Sequence, residues 1–140
     1  MHMQHGTVID VAGRGVLLVG PSGSGKSDLA LRLIDRGASF ITDDQVVLEK
    51  RRLGIFASAP KSIRGYLEVR GLGIVSMPVT GGTFIRLVVE LVEAKDVPRL
   101  PKLRFFDLLG EKIPSVLLNA FEVSTPLKIE LAVGDTNRIG

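Results

Sequence analysis

The 140-residue chain has no cysteine and no tryptophan, and it carries one tyrosine and six phenylalanines. Without thiols there can be no disulfide, no thiolate nucleophile and no cysteine-built metal site. Nothing calls for an oxidising compartment, so a cytoplasmic protein is expected. Six phenylalanines set mostly in apolar runs offer no obvious stacking platform for a nucleic acid, and no nucleic-acid partner is expected. Long apolar runs are missing too. The longest, such as LVVELV, are broken by charge well short of the roughly 18 residues that cross a bilayer, and the N-terminal MHMQHGTVID is polar. Neither a membrane span nor a signal peptide is expected. Charge of one sign is not in large excess: 18 Lys and Arg face 15 Asp and Glu, a net +3, scattered except for EKRR at 49–52. That balance suits a phosphorylated or acidic partner, and equally an ordinary solvated surface.

What remains is 45% hydrophobic and 24% charged, enough for one compact domain over 1–140 and too little for two. Residues 7–19 read as a hairpin, with two Val/Ile/Leu-rich runs around the turn signal Ala12-Gly13-Arg14-Gly15. From Ser27 to Arg36, Leu29, Ala30, Leu31, Leu33 and Ile34 supply an apolar face at helical spacing, and Gly37 stands where a helix would end. Beyond it the chain reads as strands: ASFI, QVVLEKRR, LGIFAS, LEVRG, GIVSMPV, FIRLVVELVE, SVLL and PLKIELAV. No second helix of comparable periodicity is expected after Gly37. The Pro-containing stretch 95–114 reads as an irregular surface connection with a short helical turn. A parallel sheet of repeated strand-helix crossovers needs a dozen or more residues per connection and does not fit. The expected fold class is therefore α/β, a strand-rich, mixed or antiparallel sheet with one main helix.

That helix follows Gly20-Pro21-Ser22-Gly23-Ser24-Gly25-Lys26-Ser27, which matches the pattern Gly-x4-Gly-Lys-Ser behind a strand. Glycines let successive amides point inward, and the helix N-terminus adds partial positive charge at the same place. Lys26 would reach the β/γ-phosphates of a nucleoside triphosphate, and the Ser27 hydroxyl would complete the coordination of Mg²⁺. The motif does not separate a kinase from an ATPase, a GTPase or a motor.

Asp43 and Asp44 follow one helix and one strand later. Adjacent carboxylates can divide labour, one toward a metal and one taking a proton from an attacking hydroxyl; a plain Asp-Asp turn is the other reading. Glu68 and Arg70 in LEVRGLGI could serve as a second Mg²⁺ ligand and a phosphoryl-binding cation, or pair with each other on a solvated strand. His5, near a terminus, and Arg99, in VPRLP, read first as exposed side chains; a catalytic role for His5, and a reach from its loop into a phosphate site for Arg99, are the lesser readings.

Together HGTVIDVAGRGVLLVGPSGSGKSDLALRLIDRG from His5, FITDDQV from Phe40 and LEVRGLGIV from Leu67 resemble the catalytic domain of the bacterial HPr kinase/phosphorylase family. The third segment is the most specific, and the resemblance is good over residues 5–76. It implies a fold like the nucleotide-binding part of phosphoenolpyruvate carboxykinase. It also implies an enzyme that uses ATP and Mg²⁺ to phosphorylate a serine of HPr or an HPr-like phosphocarrier. Many members reverse the reaction with inorganic phosphate and release pyrophosphate, and the family commonly assembles as a hexamer. By position, the resemblance makes Asp43 the base that accepts the serine proton and the acid that returns it. His5 takes the place of the histidine beside that aspartate. Lys26 holds the transferred phosphate, Ser27 and Glu68 match the Mg²⁺ ligands, and Asp44 supports the metal shell or positions a basic neighbour. Residues 67–76 with Arg70 match the stretch linked to transfer in both directions, and Arg99 is the best match to a later active-site arginine.

The sequence starts almost at the family histidine, so the resemblance leads to the expectation of a compact form like those of proteobacteria, lacking the separate N-terminal domain of longer members. After about Lys95 it diverges, and Lys128 is the remaining candidate for the element that closes over phosphate. Two other functions stand beside the protein kinase. One is a small-molecule kinase with the same loop, for whose lid and substrate domain the chain has no room. The other is a nucleotide-binding regulatory module without catalysis.

Overall fold

In the computed structural model, residues 1–134 are described. The strands are β1 (His2–His5), β2 (Thr7–Val11), β3 (Arg14–Val19), β4 (Ser39–Thr42), β5 (Gln45–Arg51), β6 (Gly54–Ser58), β7 (Tyr66–Val69), β8 (Gly73–Ser76), β9 (Thr83–Leu91), β10 (Phe105–Leu108) and β11 (Glu111–Leu118). Two ten-residue helices, α1 (Lys26–Asp35) and α2 (Thr125–Gly134), complete the framework with two short 3₁₀ turns. The main sheet has nine strands in the order β1-β5-β6-β9-β3-β2-β4, with β11 joining β9 and β10 joining β11. β3 and β11 run parallel to β9, and the other pairings are antiparallel. The strand-rich, mixed sheet expected from the sequence is what the chain forms. β7 and β8 make a separate two-stranded ribbon.

The sheet is buried on both faces because its central strands alternate apolar residues between two cores. Ile9, Val16, Leu18, Leu87 and Val89 face the helices, where they meet Leu29, Ala30 and Leu33 of α1 and Ile129 and Val133 of α2. Val8, Leu17 and Val88 point the other way, toward Val46 and Leu48 of β5, Ile55 of β6 and Leu108 and Ile113 of the β10–β11 hairpin. The alternation slips once. Where Gly15 pairs Ile85 and Val16 pairs Leu87, a bulge puts Ile85 into the second core and Leu87 into the first.

The β2–β3 hairpin turns at Ala12 and Gly13, both with positive φ, while Asp10 Oδ1 accepts the Gly13 amide. α1 ends in a Schellman arrangement: Gly37 (φ +109°) donates to Ile34 O and Ala38 to Leu33 O, as the glycine signal predicts.

Two expectations are corrected. PLKIELAV is not a strand, and a second helix does follow Gly37. Apolar residues on nearly every side of α2 hide helical periodicity, and the structure decides through Pro126 in the first turn, where a missing amide costs nothing. The stretch 95–114 is irregular only to Arg104. Residues 105–114 enter the β10–β11 hairpin, whose Leu109-Gly110 turn repeats the first one, with Asp107 Oδ1 accepting the Gly110 amide. Among the described residues no helix is long and apolar enough to cross a membrane.

Candidate active site

β3 delivers the chain into the loop 20–25, and α1 begins at Lys26 with Gly25 as its cap in the left-handed region, φ +96°. Gly25 is obligatory for a second reason: a Cβ there would stand 2.7 Å from Ala120 Cβ and 3.0 Å from the Phe121 ring. The Ser24 amide donates to Pro21 O, whereas those of Gly23, Gly25, Lys26 and Ser27 have no acceptor among the described residues. Such a row of free donors at a helix N-terminus is a phosphate cradle. Ser24 Oγ is buried inside the same loop without a partner.

Lys26 folds back over the loop, its Nζ donating to Gly20 O at 2.7 Å and Pro21 O at 3.0 Å, which leaves a proton for a phosphate oxygen. Burial holds its pKa below the ordinary lysine value against the opposing pull of Asp44 and then Asp43.

Asp43 is the meeting point of four elements. It sits at the end of β4, 6% exposed, and accepts from Thr7 Oγ1 of β2 at 2.9 Å. Ser27 Oγ of α1 lies 2.8 and 3.0 Å from its two oxygens, and the Glu68 amide of β7 donates at 3.1 Å. Thr7 is wholly buried and is a site residue that sequence reasoning missed; no local pattern marks it, since its role comes from the pairing of β2 with β4.

Asp44 points the other way. Its backbone takes φ +71°, a left-handed conformation that aspartate tolerates better than most residues, and its side chain is 69% exposed. His5 Nε2 lies 2.9 Å from Asp44 Oδ1. That contact exists because β1 pairs with β5 in a register that sets His5 opposite Gln45, with the Gly6 amide bonded to Asp44 O. The polar N-terminus, which sequence reading left without structure, is thus an edge strand that carries His5 to the carboxylate pair.

The β7–β8 ribbon brings Glu68 to the site through its amide and leaves its carboxylate exposed. Arg70 is exposed in the ribbon's turn, and among the described residues the two side chains form no ion pair with each other. Arg99 stands exposed on the irregular segment after β9, without a side-chain hydrogen bond or ion pair among the described residues. Lys128 lies on α2 with its Nζ 3.7 Å from Glu122.

Among the described residues no group of three or more His, Asp or Glu side chains could hold a metal. A cation here would rest on few protein oxygens and on the ligand's own phosphates, as Mg²⁺ does. The Ser27 hydroxyl donates its proton to Asp43 and keeps its lone pairs for such a cation, so the residues fit Mg²⁺ bound with a nucleotide.

The family model described as HPr Serine kinase C-terminal domain matches residues 1–129. The HPr kinase/phosphorylase of Malacoplasma penetrans is 41% identical over 126 residues, covering 81% of this chain and 42% of that protein. That of Bordetella pertussis is 37% identical, covering 94% of this chain and 47% of its own length. The chain thus spans less than half the length of these curated relatives. The solved structure of the Hpr(Ser) kinase/phosphatase from Coxiella burnetii superposes with a TM-score of 0.87 at 28% identity, covering 99% of this chain and 92% of that one. By sequence over nearly its whole length, and by fold, the chain belongs to the HPr serine kinase C-terminal domain family.

Proposed function

We propose that this chain is the catalytic unit of an ATP- and Mg²⁺-dependent protein kinase that phosphorylates a serine of HPr or an HPr-like phosphocarrier. The same site would run the return reaction with inorganic phosphate; the relatives are named kinase/phosphorylases. One observation carries the reading: a phosphate loop whose Ser27 is bonded to a buried Asp43, directly beside an exposed Asp44–His5 pair.

The resemblance gives proton transfer to Asp43, but the surroundings of the two carboxylates favour the opposite division. Asp43 is buried and already accepts from Thr7, Ser27 and the Glu68 amide, so a serine on another protein has no approach to it. It suits the metal side of the site, with Ser27 and the Glu68 carboxylate. Asp44 is open to solvent, and His5 can share or orient its proton. Bound Mg²⁺ would neutralise charge on the β/γ-phosphates.

Asp44 takes the serine hydroxyl proton as the serine oxygen bonds to the γ-phosphorus and the β–γ bridging bond breaks, releasing ADP. In return, phosphate oxygen attacks the phosphoserine phosphorus, pyrophosphate forms, and Asp44 gives the proton back to the serine oxygen. Lys26 and the free loop amides hold the phosphates throughout. Arg70 and Arg99 are exposed cations free to meet phosphate or the carrier.

The test is phosphotransfer from ATP with Mg²⁺ to HPr and HPr-like carriers of the same organism, with mass spectrometry locating the phosphate. Phosphoserine on either carrier supports the proposal, and added phosphate should then release pyrophosphate. ATP binding without transfer to either carrier overturns it in favour of a small-molecule kinase or a noncatalytic nucleotide-binding module.

A further inference from the structure

The segment 119–125, between β11 and α2, runs beside the phosphate loop and is tied down from several directions. Asn119 Nδ2 donates to Val92 O at 3.0 Å, and Asn119 Oδ1 accepts the Phe121 amide at 3.0 Å. Thr125 Oγ1 donates to Asn119 O, and Arg32 of α1 donates to both Ala120 O and Glu122 O. These bonds hold Phe121 in one place although its side chain is not packed into a core: the residue is 65% exposed, yet its ring reaches Gly25, at the N-terminus of α1. Single exposed apolar side chains are common and carry no meaning alone. This one is different because a half-buried arginine-to-carbonyl clamp and an asparagine turn fix the backbone that presents it. The glycine it touches belongs to the loop whose free amides and orphan hydroxyl await phosphate.

We propose that the Phe121 ring is the platform on which the base of the bound nucleoside triphosphate stacks. This rests on the nucleotide reading of the phosphate loop and adds the part of the ligand that the loop cannot recognise. Phosphates in the loop leave the ribose as the spacer to the base, and a flat apolar ring at the loop's edge offers a π-face. Every base has such a face, so the platform should accept adenine and guanine alike and give affinity without choosing between them.

The experiment compares ATP with inorganic tripolyphosphate, which has the phosphates and no base. Phe121→Ala should weaken ATP and GTP roughly tenfold and leave tripolyphosphate unchanged, as the loss of one stacked base predicts. The chain has no tryptophan, so Phe121→Trp places the only indole at the site, and its emission can be excited apart from that of Tyr66. The indole emission should be quenched by ATP and not by tripolyphosphate. Equal ATP affinity in Phe121→Ala and wild type would overturn the proposal. So would equal losses for both ligands, which would mean damage to the loop, and Phe121→Leu with matched thermal melting would expose such damage. If wild type binds neither ligand, the phosphate-loop reading itself has failed, and the stacking proposal falls with it.

Discussion

Asp43 and Asp44 are neighbours in sequence with opposite environments, and substitutions should separate their roles. Asp44→Asn keeps the shape of an exposed side chain. It should cut phosphotransfer by about 10²- to 10⁴-fold, the usual contribution of a positioned base, while ATP affinity and melting temperature stay near wild type. Asp43→Ala strands three buried or half-buried donors, Thr7 Oγ, Ser27 Oγ and the Glu68 amide. It should destabilise the fold by about 3 kcal/mol, read by urea denaturation, and weaken Mg²⁺-dependent nucleotide binding. Transfer at the wild-type rate in Asp44→Asn would return the base to Asp43. At this scale the sequence was legible wherever chemistry is local: Gly20, Gly25, Lys26 and Ser27 follow from spacing, because loop and helix are contiguous. The different burial of two adjacent aspartates could not be read, because β2, α1 and β7 enclose one of them and leave the other in solvent.

At the level of elements, β9 is the spine, flanked by β3 along one edge and by β6 and β11 along the other. Gly15 sits at the bulge where β3 meets it, and a Cβ there would come within 2.5 Å of Phe84 O and 2.6 Å of Thr83 Cγ2. Gly15→Ala should therefore cost about 3 kcal/mol by overpacking, a drop in melting temperature of roughly 10 °C. At the same spine, burial pushes the Glu90 carboxyl up, but hydrogen bonds from Arg104 and Ser115 outweigh it and leave the pKa below the ordinary 4.5. A depressed carboxyl pKa contributes stability above about pH 4.5 that is lost as pH falls through the folded-state value. Glu90→Gln should flatten that part of the acid-denaturation curve; an unchanged curve would show that the pair contributes nothing. The β10–β11 hairpin was present in the sequence as DLLG-E, the same Asp-x-x-Gly spacing as DVAG-R in the first hairpin. It was hidden by the prolines before it. α2 was not readable from periodicity, since its exposed face carries Leu127 and Leu131 opposite the buried Ile129 and Val133, and little polar contrast is left to define its period.

Across the whole molecule, the β7–β8 ribbon forms a sheet of its own, with no ladder to the main sheet among the described residues, yet it carries Glu68 and Arg70. Leu67, fully buried, and the Glu68 amide on Asp43 anchor it. The chain's single tyrosine, Tyr66, lies on this ribbon, so tyrosine fluorescence and far-UV circular dichroism should report one coincident unfolding transition in urea. A tyrosine transition at lower urea would mean that the ribbon opens independently of the sheet. By itself the sequence determined the phosphate loop, the helix behind it, the first hairpin and the strand-rich class, because each rests on neighbours a few residues apart and on side-chain period. The tertiary structure alone decided that β1 brings His5 to Asp44, that Thr7 and Ser27 meet on Asp43, and that Phe121 comes to rest against Gly25. These meetings join residues 16 to 96 positions apart. Burial, strand register and hydrogen-bond satisfaction, which no local pattern encodes, fix them.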